Sequence, residues 1–310
     1  MTAIIEVQDL TKRYKNSETN AVDGISFSVT PGQLFALLGP NGAGKTTTIS
    51  ILTTTLTPTS GVALIAGHDV LQNPSAVRQN VGIIFQKPSL DMNLTAEENV
   101  RFHATLYGLY PFRPTFRLMP RAYRQQIEAL AEVLGISEDM FKPIKTFSGG
   151  MKRKLEILRS LLHKPRVLFL DEPTVGLDPA SRRNLWTYIR QVRREGGTTV
   201  FLTTHYLEEA EEADTICIIN HGKIVSYGTP AQVKAELIEE YLLVDSADRE
   251  RLRTELSSLA IPFSESPLFR IDLNGRSIHQ ILKAIETPLT VVKTHTPSLE
   301  DAYLAIVERT

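Results

Sequence analysis

Two short groups of residues in this 310-residue chain have types and spacings that suit phosphate chemistry. The first is Gly39-Pro40-Asn41-Gly42-Ala43-Gly44-Lys45-Thr46-Thr47, which contains the pattern G-x-x-x-x-G-K-[ST], follows an apolar run and opens a helix-length segment. Glycines let the backbone wrap a phosphate and aim its N–H groups inward, and the helix start favours an anion. Lys45 would supply charge to the terminal phosphates and Thr46 a hydroxyl ligand for Mg²⁺. The pattern predicts nucleotide binding; the alternative is a glycine turn before an ordinary helix.

The second group is a pair of adjacent carboxylates, Asp171 and Glu172, at the end of the apolar run 167–170. An aspartate at such a strand end can hold Mg²⁺ directly or through water. The next carboxylate would then lie beside the γ-phosphate, where it could orient and deprotonate water. The alternative is that the pair only caps Thr174 and its neighbours.

A third stretch, from Phe147 to Lys154, begins with Ser148-Gly149-Gly150 and continues with three basic residues at the start of a predicted helix. Positive charge at a helix N-terminus opposes the helix dipole unless an anion lies there. Two glycines also allow close backbone approach. We therefore expect this helix start to face an anion; an exposed basic turn without a partner is the alternative.

The elements that must position these residues alternate between short apolar strands and amphipathic helices. This order predicts a mostly parallel α/β core. Ligands of such sheets lie outside the carboxyl ends of the strands. Gly39, Gln86, Asp171 and His205 all follow predicted strands, so we expect them at one edge of the sheet.

Local signals fix several element boundaries. Helix starts are predicted at Thr95, with Glu98 completing a capping box, at Ser148, and at Asp178 before Pro179. His221-Gly222 predicts a hairpin, and residues 22–24 predict a turn between two strands.

Composition narrows the class of protein. Hydrophobic residues make up 42% and charged residues 22% of the chain, which is ordinary for a globular protein, and a net charge of −1 argues against a nucleic-acid binder. The single cysteine, Cys217, excludes an internal disulfide, and its apolar surroundings predict a core residue. No stretch is as long as a membrane-spanning helix, and the N-terminus does not resemble a secretory signal. A cytoplasmic protein is expected, with any spanning done by another chain.

Taken in order, the motifs of about residues 3–235 resemble the ATP-binding subunit of an ATP-binding cassette (ABC) transporter. Six elements carry the resemblance: the glycine-rich loop, Gln86 of the Q-loop, the Ser148-Gly149-Gly150 signature, the strand ending in Asp171-Glu172-Pro173, the D-loop Gly176-Leu177-Asp178-Pro179, and the switch Thr204-His205. Met151 in the signature and the ending Pro297-Ser-Leu-Glu-Asp-Ala-Tyr-Leu are similar to the branch of daunorubicin-resistance-type (ABC-2 type) multidrug exporters.

The resemblance implies an α/β fold of the P-loop NTPase, ABC ATPase type, with an antiparallel β subdomain and a helical subdomain. The ATPase domain would span residues 1–240, with the helical subdomain at about 87–165. Residues 241–310 show a predicted β-α-β-β-α-β order plus a last helix at 298–308, a small α+β (split βαβ, ferredoxin-like) domain whose expected role is docking or dimer contact.

The resemblance also implies roles for individual residues. Glu172 would be the catalytic base and His205 would contact the γ-phosphate, while Tyr14 would stack on adenine. Thr46, Gln86 and Asp171 would serve Mg²⁺, residues 39–47 would bind the phosphates of ATP, and Asp178 of the D-loop would belong to the nucleotide site. Ser148, Gly149 and Gly150 would bind the γ-phosphate of ATP held by a second ATPase subunit.

The implied protein is an ATP-hydrolysing motor of a multi-component ABC exporter, held at the cytoplasmic face of the membrane through permease subunits. A soluble ABC ATPase not coupled to transport and an importer motor are the alternatives. Residues 108–121 are longer than the usual link in the family and contain three prolines, three aromatic residues and Arg113, Arg117 and Arg121. They are expected to be a surface loop insertion; contact with lipid headgroups or a permease is the alternative.

Overall fold

The computed structural model describes residues 2–15, 17–85, 89–237, 241–265, 267–273, 275–295, 298–301 and 303. The chain divides into two compact units, Met1–Thr229 and Pro230–Thr310. The first unit contains, in chain order, β1 (Ile5–Arg13), β2 (Asn20–Val29), β3 (Leu34–Leu38), α1 (Lys45–Leu52), β4 (Ser60–Ile65), β5 (His68–Asp69), α2 (Pro74–Asn80), β6 (Val81–Ile84), α3 (Ala96–Leu106), α4 (Arg121–Leu134), α5 (Gly149–Leu161), β7 (Val167–Asp171), α6 (Pro179–Gly196), β8 (Thr199–Thr204), α7 (Leu207–Ala210), β9 (Thr215–Asn220) and β10 (Lys223–Gly228).

A six-stranded sheet in the order β10-β9-β3-β8-β7-β6 forms the centre of the first unit. Strands β3, β6, β7, β8 and β9 run parallel, and β10 pairs antiparallel with β9 through the predicted hairpin. All five residues of β3 and of β7 are buried, as expected for parallel strands covered on both faces. The mostly parallel α/β core predicted from the sequence is confirmed.

A second, antiparallel sheet in the order β2-β1-β4-β5 packs on the first one. Phe27 of β2 stacks on Phe35 of β3 at 5.2 Å, and Phe35 stacks on Phe201 of β8 at 5.0 Å between ring centroids. Both sheets share one apolar core. The predicted turn at residues 22–24 is wrong, because β2 continues from Asn20 through these residues and accommodates them with register shifts against β1.

Helices α3, α4 and α5 lie between β6 and β7 in the chain. The Thr95–Glu98 capping box is confirmed: the Glu98 backbone N–H donates to Thr95 Oγ1 at 3.2 Å and the Thr95 N–H donates to Glu98 Oε2 at 2.8 Å. Two buried residues of α3, Arg101 and Glu97, form an ion pair at 3.0 Å. Tyr123 of α4 donates a hydrogen bond to the Glu97 carboxylate.

The insertion at 108–121 is anchored on these helices. Arg101 donates to the Arg113 carbonyl oxygen at 2.7 Å, and Phe112 stacks on Phe102 of α3 at 5.7 Å. Phe116 packs edge-on against Phe141 at 5.4 Å. Arg113 and Arg117 are exposed. The insertion is thus a surface segment with its own packing contacts.

The second unit contains α8 (Pro230–Leu237), β11 (Tyr241–Asp245), α9 (Arg249–Ser258), β12 (Phe263–Glu265), β13 (Phe269–Asp272), α10 (Ile278–Ala284) and β14 (Val291–His295). Its sheet is antiparallel throughout, in the order β12-β13-β11-β14. That is the split βαβ arrangement predicted from the sequence. Leu242 and Val244 of β11 pack with Leu252 and Leu256 of α9 in its core. The predicted last helix, 298–308, lies mostly outside the described residues. Within the described ranges, no helix has both the length and the apolar character needed to cross a bilayer.

Candidate active site

The loops that follow β3, β7 and β8 meet at one edge of the central sheet. Strand β8 pairs with β3 on one side and with β7 on the other, and all three run in the same direction. The edge therefore collects the glycine-rich loop, the Asp171-Glu172 pair and His205, as the sequence predicts. Lys45 Nζ lies 3.9 Å from Glu172 Oε1, and His205 Nδ1 lies 3.2 Å from the same oxygen.

The glycine-rich loop needs its glycines for space as well as for conformation. Gly44 has φ +112°, and a Cβ there would lie 2.4 Å from the Ala21 carbonyl oxygen. A Cβ on Gly39 would lie 2.3 Å from the Ile219 carbonyl oxygen. Helix α1 begins directly after the loop, has no acidic residue in its first turn, and its N-cap, Gly44, has no side chain to occupy the first N–H groups. The loop can therefore offer backbone N–H groups and the positive end of a helix to an anion.

Lys45 is held inside the loop. It is 5% exposed, and its Nζ donates to the carbonyl oxygens of Gly39 at 2.7 Å and Pro40 at 3.2 Å. Burial lowers the pKa of Lys45, and the nearby carboxylates of Glu172 and Asp171 oppose that shift. The ammonium group is thus placed where it can reach phosphate oxygens bound by the loop.

The two acidic residues have different environments. Asp171 is the last residue of β7, is 4% exposed, and accepts a hydrogen bond of 2.6 Å from Thr203 Oγ1. Burial raises the pKa of Asp171, and the hydrogen bond from Thr203 partly opposes the rise. Glu172 has a left-handed backbone, φ +45°, which is uncommon for a residue with a side chain. Its N–H donates to both the carbonyl oxygen and Oγ1 of Thr203, at 3.1 Å each, and these bonds hold the turn.

A cation bound at this edge of the sheet would have few protein ligands, and water and phosphate oxygens would supply the rest. Thr46 is exposed at the start of α1 and can present its hydroxyl, and Asp171 can present its carboxylate. Among the described residues, no group of three or more His, Cys, Asp or Glu side chains could hold a metal ion. The donors present fit Mg²⁺, which keeps several waters and takes phosphate oxygens alongside one or two protein ligands. Gln86, the third expected ligand, lies outside the described residues.

Tyr14 stands beside the far end of the loop. Its hydroxyl is 3.2 Å from Thr47 Oγ1, and the residue is 45% exposed. Lys12 lies over the ring at 5.7 Å. An exposed ring next to a phosphate loop has the position that a base-stacking residue needs; the adenine contact stays a prediction.

The signature residues form the tip of α5. Ser148 caps this helix as predicted, accepting a hydrogen bond from the Met151 N–H at 3.2 Å. A Cβ on Gly149 would meet nothing within 4 Å, whereas one on Gly150 would lie 2.7 Å from Ser181 Oγ. Ser148 thus bonds its own helix, and Gly150 lies against Ser181 of α6.

Asp178 is the N-cap of α6, as predicted. Its carboxylate accepts from the N–H groups of Ala180 and Ser181 at 2.9 and 3.0 Å and from Ser181 Oγ at 2.5 Å. These bonds lower the pKa of Asp178. The structure thus gives Asp178 a helix-capping role, and its place in a nucleotide site stays a prediction.

Of the three basic residues that follow the signature, Arg153 has protein partners, whereas the anion expected at this helix start stays a prediction. Arg153 is 6% exposed and donates to the Pro173 carbonyl oxygen at 3.0 Å, to the Phe85 carbonyl oxygen at 2.6 Å and to Glu156 Oε2 at 3.2 Å. It lies on the buried face of α5, one turn before its partner Glu156. An arginine three residues before a glutamate on an otherwise apolar helix face was the signal for this pair.

Two further residues at this edge were not singled out from the sequence. Thr203 bonds both acidic residues. Glu209 is 3% exposed and accepts hydrogen bonds from Thr174 and, at 2.7 Å, from Thr204 Oγ1. It ties the turn after β7 to the end of β8, and burial raises the pKa of Glu209.

Comparisons with known proteins agree with this geometry. The family model described as "ABC transporter" matches residues 22–175. The chain is 36% identical over 317 residues to the daunorubicin/doxorubicin resistance ATP-binding protein DrrA of Streptomyces peucetius, covering 98% of this chain and 92% of that protein. It is 38% identical over 261 residues to the Nod factor export ATP-binding protein I of Ralstonia nicotianae, covering 84% of this chain and 78% of that one.

Solved structures show the same fold. A solved ATP binding subunit of an ABC transporter matches with a TM-score of 0.66 and 30% identity, covering 75% of this chain and 92% of that one. The ATP-binding cassette MJ0796, solved as a dimer bound to ADP and Pi, matches with a TM-score of 0.65 and covers 73% of this chain and 98% of that one. Because the two chains are only 22% identical, this match bears on the fold alone.

Proposed function

This chain belongs to the ABC transporter family, and on that premise we propose that it is the ATP-hydrolysing motor of a multi-component exporter. It would work at the cytoplasmic face of the membrane, attached through permease subunits, and its transported compound would be amphipathic, such as a drug or lipid. The export direction follows the relatives, which are named for drug resistance and Nod factor export. These relatives do not favour the two alternatives, an importer motor and an ATPase uncoupled from transport.

One observation supports hydrolysis most directly: Glu172 lies between Lys45 and His205 at the mouth of the glycine-rich loop. Lys45 and the loop N–H groups would hold the β- and γ-phosphates of ATP. Glu172 would accept the proton of the attacking water, since its carboxylate is only partly exposed and is directed by the turn that Thr203 holds. His205, hydrogen-bonded to Glu172, would contact the γ-phosphate and orient that carboxylate.

Thr46, Asp171 and Gln86 would hold Mg²⁺, which when bound neutralises charge on the phosphates. Burial of Asp171 raises its pKa, so the hydrogen bond from Thr203 helps to keep it ionised for this task.

The site would be completed by a second subunit. Gly149 presents bare backbone with open space in front of it, which suits close approach to a phosphate carried by another copy. Two chains would pair head to tail, with each Ser148-Gly149-Gly150 tip covering the ATP held by the partner.

The test is Glu172→Gln, with Glu212→Gln as the control because Glu212 is exposed in an ion pair with Arg190. We expect Glu172→Gln to bind ATP like the wild type, to lose about a hundredfold or more in turnover, and to accumulate as an ATP-bound dimer. Equilibrium ATP binding, steady-state ATPase rates and light scattering measure these. Turnover at the wild-type rate in Glu172→Gln would refute the assignment of the base.

A further inference from the structure

Helix α5 touches the chain on both sides of Gln86. The Arg153 guanidinium donates to the carbonyl oxygen of Phe85, the residue before Gln86. Farther along α5, Glu156 Oε1 accepts from the Ser89 N–H at 2.9 Å, and Arg159 donates to the Ser89 carbonyl oxygen at 2.7 Å. Arg159 also bonds the Ser89 hydroxyl.

The same helix holds the turn that carries the catalytic base. Arg153 Nε donates to the carbonyl oxygen of Pro173, which directly follows Glu172. A single buried side chain therefore bonds the backbone next to Glu172 and the backbone next to Gln86. The third acceptor of Arg153 is Glu156, so its charge is paired, and its Nε and Nη1 donors both have acceptors.

These contacts form one connected unit. Arg153, Glu156 and Arg159 occur every three residues, which places them along one side of α5 over about 9 Å. Glu156 is 2% exposed, and a buried ion pair resists rearrangement because separating it leaves an uncompensated charge. Because an α-helix moves as a stiff rod, a displacement of its Ser148–Gly150 tip is carried to Phe85, Ser89 and Pro173 together.

We propose that Arg153, Glu156 and Arg159 are positioning residues that couple the signature tip of this chain to its own hydrolytic site. When the tip docks on the nucleotide of a partner subunit, the helix sets the backbone around Gln86 and Glu172 at the same time. This inference rests on the proposed function, because it requires that the chain hydrolyses ATP as a dimer.

The experiment compares Glu156→Ala and Arg159→Gln with Arg190→Gln in the full-length chain. Arg190 is the matched control, since it is also a helix arginine paired with a glutamate, Glu212, at 2.7 Å but lies on the surface of α6. Hydrogen exchange of the peptide containing Ser89 reports the loop directly, because the Ser89 N–H donates to Glu156. ATPase rates and the Mg²⁺ concentration giving half the maximal rate report the site.

For Glu156→Ala and Arg159→Gln we expect faster exchange at Ser89, a kcat lowered about tenfold or more and a raised Mg²⁺ requirement, as for groups that orient metal ligands. ATP affinity measured without Mg²⁺ stays within about twofold, because ground-state binding is untouched. Glu156→Gln is expected to recover part of the exchange protection, since its amide oxygen can still accept from Ser89. Arg190→Gln changes none of these quantities.

Unchanged kcat with unchanged exchange at Ser89 would overturn the proposal. A fall in the ATPase rate that a loss of ATP affinity fully accounts for would also overturn it, because such a loss indicates general damage to the fold. If Glu156→Ala fails to fold, half-buried Arg159→Gln decides the question alone. An inactive wild-type chain would refute the proposed function instead, and Ser89 exchange would still show whether α5 holds the loop.

Discussion

Thr203 Oγ1 donates a hydrogen bond of 2.6 Å to Asp171 Oδ1 and accepts one from the N–H of Glu172. Strands β8 and β7 are in register at this point, Asp171 opposite Thr203. One hydroxyl on the neighbouring strand thus fixes both acidic residues: it stabilises the ionised form of Asp171 and helps to hold the left-handed turn at Glu172.

Thr203→Val is expected to lower kcat about tenfold or more, as loss of an orienting partner does. Because the hydrogen bond from Thr203 lowers the pKa of Asp171, the substitution raises that pKa further, and the acid limb of the pH–rate profile moves to higher pH. Leaving a buried carboxylate without its donor also costs about 1–3 kcal/mol of stability. Rates measured across pH, together with denaturant unfolding, test both effects.

Thr199→Val is the control for Thr203→Val. Thr199 lies on the same strand, is also buried, and accepts from the Gly32 N–H at 2.9 Å, but is about 13 Å from Thr203 along the strand. It is expected to lose stability without a shift in the pH–rate profile. Equal effects of the two substitutions on the profile would contradict the role given to Thr203.

Gly149 and Gly150 are predicted to respond differently to alanine. Gly150→Ala brings a Cβ to 2.7 Å from Ser181 Oγ, which is itself bonded to Asp178, so thermal stability falls although alanine favours helix. Ser181→Gly in the same chain restores the thermal stability.

Gly149→Ala meets open space, so stability is unchanged, yet ATP-dependent dimer formation and hydrolysis are lost. Thermal melts and light scattering with ATP separate the two cases; normal dimerisation of Gly149→Ala would count against the docking of this tip on a second subunit.

A shared site predicts complementation between two inactive variants. Lys45→Ala removes the phosphate-binding ammonium, and Ser148→Arg crowds the tip offered to the partner. In a two-fold dimer of one copy of each, one site carries both defects and the other is intact. A one-to-one mixture therefore recovers about a quarter of the wild-type ATPase rate if the sites are independent, since half of the dimers are mixed. Each variant alone stays inactive, and an inactive mixture that still forms dimers would contradict the shared site.

The parts of the site that follow a strand in sequence were predictable, because strand ends and helix starts have local signals. The apolar run before Gly39, the acidic pair after β7 and the cap at Ser148 each mark their element through residues that are neighbours in the chain. The parallel register of β7 with β8 then brings the predicted groups together, as expected for carboxyl ends of neighbouring strands.

The parts that depend on pairing between distant segments were not predictable in this way. Thr203 is one of several threonines on an apolar strand, and only the register with β7 shows that it faces Asp171. From the sequence, Arg153 is only one of three basic residues at a helix start. Its partners are the carbonyl oxygens of Phe85 and Pro173, which are 68 and 20 residues away in the chain. Side-chain bonds to remote carbonyl groups leave no pattern in a single sequence.

A half-buried histidine on α3 predicts how stability changes in acid. The His103 ring packs against Tyr107 at 4.2 Å between ring centroids, tilted by 32°, and its Nε2 is buried without a hydrogen-bond partner among the described atoms. Burial lowers the pKa of His103 to about 3, and Arg159 and His163 beside it act in the same direction. An unfolded histidine has a pKa of about 6.5. Between pH 6.5 and 3 the unfolded chain therefore binds a proton that the folded chain does not, and the free energy of unfolding falls as the pH falls.

The loss from this one group is at most about 1.4 kcal/mol per pH unit below 6.5. His103→Phe keeps the ring contact with Tyr107 and removes the titrating group, so the variant is expected to lose less stability than the wild type between pH 7 and pH 5. Denaturant unfolding at several pH values measures the difference, and exposed His279→Phe controls for the loss of an imidazole elsewhere. Equal pH dependence in wild type and His103→Phe would mean that His103 becomes protonated within the folded chain near its ordinary pKa, and would contradict the effect of burial on this residue.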